Sequence, residues 1–374
     1  MAPRNDRAGS EGEVCDTDAR RVLAVDGGGV KTDLALLDGS GTLLSHVRGG
    51  RSQVHYLGVD GTVSVLESLL ESAATSAGLD PLERPVAATA QLLLAGVDLP
   101  DDVSALRDAI ARLNWGERLV VGNDTEALLR AGTDRGWGVA VVCGTGINCL
   151  GLAPDGREAR FLSFGSVSGD WGGGSDVGLA ALAAAVRAGD GRGPSTVLQT
   201  AVPAHFGMRD PAAVAQAVHL EELPTARLDE LAAVVLAVDD QDDVAAAIIR
   251  RLADEVVAYA RAALRRLDLT HADPDVVLGG RLLRSVSASV IAAIAAGIGE
   301  AAPAARVSVS PSEPIVGAAL LGLDALGADA GVCARARAEL DAATDSIIRA
   351  APAAGGSANR RLRATGRARP RTNA

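Results

Sequence analysis

Two glycine turns, each interrupting an apolar run, hold the residues of this chain that could do chemistry. The first turn consists of Asp26, Gly27, Gly28 and Gly29, with Lys31 and Thr32 just beyond it. The second turn consists of Gly144, Thr145 and Gly146, with Asn148 just beyond it. Glycines let backbone N–H groups approach an anion without interference from a Cβ atom. Two such turns in one chain predict a clamp that holds a polyphosphate from both sides of a cleft.

The side chains around these turns match the needs of a bound nucleotide. Asp26 ends the first strand pattern, and a buried aspartate is costly unless it meets a metal ion or a cationic partner. Magnesium is the natural partner beside ATP, so Asp26 is predicted to hold Mg2+ directly or through water. Lys31 and Thr32 offer a cation and a hydroxyl, and Thr145 and Asn148 offer further donors. The first segment matches neither the P-loop nor the GxGxxG pattern, and ordinary hairpin turns remain the alternative for both segments.

A lone aspartate lies between the two turns in sequence. Asp124 follows the apolar run Leu119-Val120-Val121 and precedes a helix pattern. It could be the N-cap of that helix, a common place for aspartate that contributes about 1 kcal/mol. Its position at a strand end favours a second interpretation, in which Asp124 accepts the proton of an attacking hydroxyl.

Two further glycine segments could line the same cleft. A glycine-rich loop at 168–175 contains Gly169, Asp170 and Trp171. Asp170 could accept hydrogen bonds from two sugar hydroxyls, and Trp171 could line the pocket; a flexible surface loop is the alternative. Gly279 and Gly280 end another apolar strand pattern. They would leave room for a flat group such as adenine, although this pattern carries little weight by itself.

These segments belong to a repeated pattern of elements. The first half reads as a three-strand meander followed by alternating helix and strand, at 21–26, 32–38, 42–47, 60–77, 86–95, 101–114 and 118–122. The second half has strands at 138–143, 147–153 and 159–164, helices at 176–187 and within 195–267, and further elements at 275–279, 282–297, 305–309 and 313–326. A meander followed by helix–strand alternation, run twice, predicts a duplicated α/β architecture. Ligands of such paired domains bind between them, at the carboxyl ends of the strands.

Composition excludes several classes of protein. The chain has 374 residues, of which 48% are hydrophobic and 2% aromatic, so two cores built from Ala, Val and Leu are expected. A net charge of −11 and scarce aromatic side chains argue against nucleic-acid binding. The four cysteines show no zinc-binding spacing, and no apolar run approaches a membrane span. We therefore expect a cytoplasmic protein without membrane partners, with a disordered leader at 1–20 and a basic disordered tail at 351–374.

Taken in order, these motifs resemble those of the BadF/BadG/BcrA/BcrD-type ATPases and, among them, the N-acetylglucosamine kinases. The motifs are Asp26-Gly-Gly-Gly, Asn123-Asp124, Gly144-Thr-Gly-Ile-Asn148, Gly169-Asp170-Trp-Gly and Leu278-Gly-Gly280, and the resemblance covers residues 21–325. It implies an α/β fold of two ribonuclease-H-like domains around a nucleotide cleft, as in the sugar kinase, Hsp70 and actin superfamily. ATP and Mg2+ would be the cofactors, and a small sugar would be the substrate.

The resemblance also implies roles and boundaries. Asp124 would be the catalytic base, Asp26 would organise magnesium, and the two glycine turns would hold the phosphates. Gly279 and Gly280 would flank adenosine. The sugar would contact Asn123, Asp124, Gly169, Asp170 and Trp171. The N-terminal domain would comprise 21–122 and the C-terminal domain 123–328, with a helical insert near 190–267 and a final helix at 329–350. A homodimer is left open.

One segment departs from the pattern of related amino-sugar kinases. Those proteins usually carry a Ser/Thr-Asn pair after the first meander, whereas this chain has Ser52, Gln53 and His55 there and no asparagine. One of these three residues would have to contact the sugar instead, which leaves the identity of the sugar open. The leading hypothesis is transfer of the γ-phosphoryl group of ATP to the 6-hydroxyl of N-acetylglucosamine. A dehydratase-activating ATPase with an iron–sulfur cluster and a non-catalytic sugar sensor are the alternatives.

Overall fold

Residues 20–350 are described by the computed structural model, which contains two five-stranded sheets. The predicted leader, apart from Arg20, and the predicted basic tail at 351–374 lie outside the described residues. Between residues 20 and 350, no helix combines the length and the apolar character needed to cross a lipid bilayer.

The N-terminal part of the chain builds the first sheet. Its strands are β1 (Val22–Gly27), β2 (Thr32–Leu37), β3 (Leu43–Gly49), β4 (Ala87–Leu94) and β5 (Gly116–Gly122), in the order β3-β2-β1-β4-β5. The first three strands pair antiparallel, as the predicted meander requires, whereas β4 pairs parallel with both β1 and β5. Parallel neighbours need crossover connections, which here contain helices α1 (Val54–Ser76) and α2 (Pro100–Ala111).

The second sheet repeats this arrangement. Helix α3 (Asp124–Gly132) leads into β6 (Gly138–Cys143), β7 (Ile147–Leu152), β8 (Glu158–Arg160), β9 (Asp275–Gly279) and β10 (Arg306–Val309), in the order β10-β9-β6-β7-β8. Again the first three strands form an antiparallel meander, and the last two add in parallel beside the first. The predicted duplication of topology is confirmed.

Helices fill the long connection between β8 and β9. They are α4 (Gly174–Gly189), α5 (Leu198–Phe206), α6 (Pro211–His219), α7 (Leu231–Leu236) and α8 (Asp243–Arg266). Helix α8 illustrates why they pack here: Leu252, Val256 and Tyr259 recur at helical spacing and are buried in the second core. Asp242 caps this helix by accepting hydrogen bonds from two backbone N–H groups.

The chain ends with α9 (Arg281–Ser285), α10 (Ala288–Gly299), α11 (Pro314–Leu326) and α12 (Ala330–Ala350). Helix α11 packs against the first sheet, because its buried residues Ile315 and Ala319 share a core with Val22. Gly317 permits this packing: a Cβ atom there would lie 1.8 Å from the carbonyl oxygen of Ala127 in α3. The predicted C-terminal domain of 123–328 thus includes a helix that packs on the other sheet. The domain division itself stays a prediction.

Three predicted elements differ in extent from the observed ones. Helix α1 begins at Val54 rather than at residue 60, because Gly58 has a φ of +66° and joins two helical segments across a kink. The helix predicted at 282–297 is divided into α9 and α10 by Val286, whose backbone is extended. The strand predicted at 159–164 ends at Arg160, after which the chain forms a loop.

Candidate active site

The first glycine turn follows β1 and leaves Asp26 at the carboxyl end of that strand. Asp26 is 7% exposed, and burial raises the pKa of its carboxyl group to about 6. The ammonium group of Lys31 lies 3.4 Å from Asp26 Oδ2 and opposes that rise. A carboxylate buried at a strand end is expensive without a cation. This position therefore suits the metal-organising role predicted for Asp26.

Lys31 has several carboxylate partners. Its ammonium group hydrogen-bonds to Asp33 and lies 3.4 Å from Glu313 Oε2. Burial alone would lower the pKa of Lys31, but Asp26, Asp33 and Glu313 raise it, so Lys31 stays charged. Asp33 is held in turn by Arg48, whose Nε donates at 2.7 Å. A phosphate would have to compete with these carboxylates for Lys31, and the predicted phosphate contact stays a prediction.

Thr32 and Ser52 are turned into the protein interior. Both side chains are fully buried, and the Thr32 hydroxyl donates to Ser52 Oγ at 2.8 Å. The Ser52 carbonyl accepts from the Thr62 hydroxyl at 3.1 Å, which ties the segment before α1 to that helix. Gly27 lies against the same group, since a Cβ atom there would be 2.4 Å from Ser52 Oγ. The contacts predicted for Thr32 with a phosphate and for Ser52 with the sugar stay predictions, and each would have to be made by a hydroxyl that is buried here.

The two glycine turns face each other. A Cβ atom on Gly29 would lie 3.5 Å from the Thr145 hydroxyl oxygen in the other turn. At Gly144 and Gly146 a Cβ atom would meet no atom of residues 20–350 within 4 Å, so packing among these residues does not explain the two glycines. The second turn is braced by the Gly174 N–H, which donates to the Gly144 carbonyl at 2.9 Å. Bare backbone close to the first turn is what the predicted phosphate clamp requires.

Asp124 is the first residue of α3, and the cap of this helix is its neighbour Asn123. Asn123 Oδ1 accepts from the Thr125 backbone N–H at 3.1 Å and from the Thr125 hydroxyl at 2.6 Å. The helix-cap interpretation of Asp124 is therefore wrong. Asp124 Oδ1 is buried and has no hydrogen-bond partner among residues 20–350. Burial, reinforced by the charges of Asp26 and Asp98, raises the pKa of Asp124 to about 8.

The oxygen donors at this end of the cleft fit a magnesium ion. Mg2+ is commonly held by one or two carboxylates, while water and substrate phosphates complete its shell. Asp26 supplies such a carboxylate, which is buried at the carboxyl end of β1. The described part of the chain contains no group of three or more His, Cys, Asp or Glu side chains arranged around a metal position. A shell completed by phosphate oxygens does not need such a group.

Asp98, which was not among the predicted site residues, belongs to the same site. Its Oδ1 accepts from Asn123 Nδ2 at 2.8 Å and from Asn148 Nδ2 at 3.0 Å. The Asn148 amide, predicted to donate to a phosphate, donates to Asp98, and its Oδ1 accepts from the Ser163 hydroxyl at 2.6 Å. Its predicted phosphate contact stays a prediction. Asp98 thus connects the loop after β4 with strand β7. Its position shortly after a parallel strand could have identified it, because strand ends meet at the ligand cleft.

Gln53 and His55 lie beside the loop that carries Asp98. A Cβ atom on Gly96 would be 2.8 Å from His55 Cδ2 and 2.9 Å from Gln53 Cγ. Gly96 has a φ of +78°, which a glycine adopts without strain. Burial raises the pKa of Asp98, whereas the nearby His55 opposes that rise. Two of the three residues predicted to replace the missing asparagine therefore lie at the site.

Asp170 is hydrogen-bonded through both carboxylate oxygens. The Tyr259 hydroxyl donates to Oδ1, and the Ser168 hydroxyl donates to Oδ2. Each carboxylate oxygen has a second lone pair, so the predicted sugar contact stays a prediction, with Tyr259 as a partner that the helical pattern of α8 did not reveal. Gly169 has a φ of +84° and open space around it. Trp171 lies under the Arg251 guanidinium group, 4.1 Å from the ring centroid.

Packing explains Gly279 and Gly280. A Cβ atom on Gly279 would lie 2.3 Å from Leu128 Cδ1. On Gly280, which has a φ of +87°, it would lie 2.3 Å from the carbonyl oxygen of Cys143. The bare backbone here makes room for protein atoms, which contradicts the reason given for an adenine site. The predicted contact of these residues with adenosine remains untested.

A model of the BadF/BadG/BcrA/BcrD ATPase family matches residues 23–322. The chain belongs to this family. The predicted resemblance is thereby confirmed.

Curated relatives of this BadF/BadG/BcrA/BcrD family member include two sugar kinases. The chain is 32% identical to the N-acetylmuramic acid/N-acetylglucosamine kinase of Clostridium acetobutylicum over 180 residues, 48% of this chain and 57% of that protein. It is 29% identical to the N-acetyl-D-glucosamine kinase of Dictyostelium discoideum over 192 residues, 47% of this chain and 57% of that protein. Each match therefore spans little more than half of the relative.

A solved structure from Chromobacterium violaceum, provisionally named an N-acetylglucosamine kinase, is similar to this family member. Its TM-score is 0.65 at 27% sequence identity, and the similarity covers 81% of this chain and 98% of that chain. Together with the repeated strand order, this similarity confirms the predicted fold of two ribonuclease-H-like domains.

Proposed function

We propose that this family member is an ATP-dependent carbohydrate kinase, with the 6-hydroxyl of N-acetylglucosamine as the phosphoryl acceptor. One observation carries the proposal: Asp124 has a buried carboxylate oxygen that finds no hydrogen-bond partner in the described part of the chain, and its charge interacts with that of Asp26. The ATPase family supports ATP as the donor, and the names of the curated relatives support an amino sugar as the acceptor.

To catalyse phosphoryl transfer, a protein mainly has to align the two substrates and neutralise the charge of the phosphate oxygens. The facing turns around Gly29 and Thr145 would hold the phosphates between the two sheets. In the ligand-free protein the raised pKa of Asp124 favours its protonated form, and the positive charge of magnesium held at Asp26 would favour the ionised form. The ionised Asp124 would then accept the proton of the attacking hydroxyl at Oδ1. Magnesium held at Asp26 would supply the positive charge that neutralises the phosphate oxygens.

The acceptor sugar would bind among polar groups contributed by both sheets. On the first sheet these groups are Gln53 and His55, beside Asp98. Asn123 precedes the base directly, and its side chain is fixed by its cap and by Asp98. Asp170 and its partner Tyr259 would close the pocket from the side of the second sheet. A sugar site needs such a mixture of donors and acceptors, because each sugar hydroxyl can both donate and accept a hydrogen bond.

A coupled assay of ADP release tests this function. The full chain is supplied with ATP and magnesium and with N-acetylglucosamine, glucosamine, N-acetylmannosamine, glucose or N-acetylmuramic acid in turn. We expect N-acetylglucosamine to stimulate ADP release most strongly and to yield a 6-phosphate identified by NMR. ADP release that no sugar stimulates would contradict the kinase and favour an ATPase.

The iron–sulfur alternative finds no support in the described cysteines. Cluster ligands are thiolates, but Cys143 and Cys149 are buried, and burial raises the pKa of both thiols. Cys333 lies apart from them on α12. A colourless protein as purified would agree with the kinase proposal.

A further inference from the structure

Asp98 fixes the side chain of Asn123, and it lies where the two sheets meet, because Asn148 of the second sheet also donates to it. Its Oδ1 holds the amides of Asn123 and Asn148 at 2.8 and 3.0 Å. Its Oδ2 has no hydrogen-bond partner among residues 20–350 and is not sealed from solvent there. One carboxylate oxygen is thus anchored while the other is presented to the cleft.

The neighbours of Asp98 indicate what could meet this second oxygen. The negative charge of Asp98 acts on Asp124, which follows Asn123 directly. On its other side Asp98 is close enough to His55 for their charges to interact. Asp98 therefore lies between the candidate base and the segment that departs from related kinases. A sugar whose hydroxyl reaches Asp124 would pass beside it.

The chemistry of an ionised carboxylate also limits which groups can bind Oδ2. Such a group accepts hydrogen bonds and cannot donate them. Two amide donors fix Oδ1, so the direction of Oδ2 is set before a ligand arrives. Hydroxyl groups of a sugar ring are donors of the right kind, and a bond to a charged acceptor is among the stronger ones.

We propose that Asp98 determines specificity for the acceptor, with Oδ2 accepting a hydrogen bond from a ring hydroxyl while Oδ1 holds Asn123 and Asn148. This inference rests on the proposed kinase function. It assigns to Asp98 the contact that the asparagine missing from the segment before α1 would otherwise supply.

The variant Asp98→Asn distinguishes the roles of the two carboxylate oxygens. Its side-chain oxygen can still accept from both neighbouring amides, whereas its NH2 group replaces the acceptor at Oδ2 by a donor. We expect the KM for N-acetylglucosamine to rise by about tenfold or more, with the KM for ATP and the melting temperature nearly unchanged. Asp101→Asn, which removes an exposed carboxylate from α2, is the matched control and should behave like the wild type.

Deoxy sugars test the contact without any variant. The 3-deoxy and 4-deoxy analogues of N-acetylglucosamine each lack one ring hydroxyl. We expect the wild type to bind one of them at least about tenfold more weakly than N-acetylglucosamine, and Asp98→Asn to show no such preference, because the two deletions remove the same hydrogen bond. Equal KM values of the wild type for all three sugars would overturn the inference, even if Asp98→Asn failed to fold.

The outcomes distinguish this inference from the function on which it rests. A wild type that phosphorylates N-acetylglucosamine, with an Asp98→Asn variant of unchanged sugar KM, would overturn the role of Asp98 alone. A wild type that phosphorylates no sugar would overturn the proposed function and this inference with it. A rise in the KM for ATP as large as that for the sugar would show a general structural role and would also overturn it.

Discussion

Two adjacent residues at the start of α3 have different roles: Asn123 stabilises the helix, and Asp124 is the proposed base. Asn123 caps the helix and is fixed by Asp98, so its side chain has little freedom. Asp124 occupies the first position of the helix, where no cap is needed from it, and its Oδ1 has no hydrogen-bond partner within residues 20–350. Because Asn123 supplies the cap, Asp124 is left available for the proton transfer that we propose, while the helix holds its backbone still.

Replacing Asp124 by asparagine tests its role as the base. Asp124→Asn keeps the shape of the side chain but removes an ionisable oxygen, so we expect kcat to fall by at least ~10² at saturating sugar and ATP. The variant should remain folded, because no hydrogen bond of Oδ1 is lost among residues 20–350. Asp108→Asn, an exposed aspartate on α2, is the control for loss of one charge. Wild-type turnover in Asp124→Asn would exclude this residue as the base.

Asp124 also makes the stability of the ligand-free protein depend on pH. Its pKa is about 8 in the folded protein, against an ordinary value of about 4. Between these values the folded form keeps a proton that the unfolded chain has released, so the free energy of unfolding falls as pH rises. The slope for this group is up to about 1.4 kcal/mol per pH unit.

Asp124→Asn should remove that part of the pH dependence. In urea denaturation, the stability of the variant relative to the wild type should therefore be greater at pH 8 than at pH 5. The comparison between the two proteins cancels the contributions of groups that do not interact with Asp124. Asp26, whose pKa is about 6, does interact with Asp124, so the difference reports on this pair of carboxyl groups. An identical difference at both pH values would show that Asp124 ionises normally in the folded state.

At the scale of the elements, both sheets could be predicted from the sequence. Apolar runs separated by glycine turns encode a meander locally, and strands that alternate with helices encode parallel pairing. The packing of α11 on the first sheet could not be predicted, since it depends on a close approach of Gly317 to α3. Neither could the burial of Thr32 and Ser52, because a local pattern does not show which face of a turn another segment covers.

A glycine in a turn or at a strand end can be required for two different reasons, and the sequence does not show which one applies. Gly280 lies against the backbone of Cys143, whereas Gly146 has open space around it. Only the second kind points to a ligand, because no protein contact explains the absence of a side chain there. The five predicted motifs therefore carry unequal information about function, even though all of them lie at predicted positions.

Alanine substitutions distinguish the two kinds of glycine. The Cβ atom of Gly146→Ala would have no atom of the described chain within 4 Å, so we expect an unchanged melting temperature and a KM for ATP that rises about tenfold. Gly280→Ala must adopt a φ of +87° and would place Cβ 2.3 Å from the Cys143 carbonyl oxygen, so its melting temperature should fall. Steady-state kinetics and thermal unfolding measure both effects. Normal ATP kinetics in Gly146→Ala would remove the second turn from the phosphate site.

At the scale of the whole molecule, each predicted ligand site draws on both sheets. The phosphate clamp pairs Gly29 of the first sheet with Thr145 of the second. The acceptor site pairs Asp98 of the first with Asn148 of the second, at 3.0 Å. A ligand at either site therefore favours the same arrangement of the two sheets, and binding at one site should strengthen binding at the other.

This coupling must be reciprocal, because it is a difference in free energy between states of one molecule. We expect a saturating non-hydrolysable ATP analogue with magnesium to lower the Kd for N-acetylglucosamine by about fivefold or more, and the sugar to lower the Kd for the analogue by the same factor. Titration calorimetry measures both constants. Asp98→Asn and Asp101→Asn should both preserve the coupling, since the side-chain oxygen of Asp98→Asn still accepts from Asn148 across the two sheets. Independent binding of the two ligands would mean that the sheets hold their substrates without closing on them.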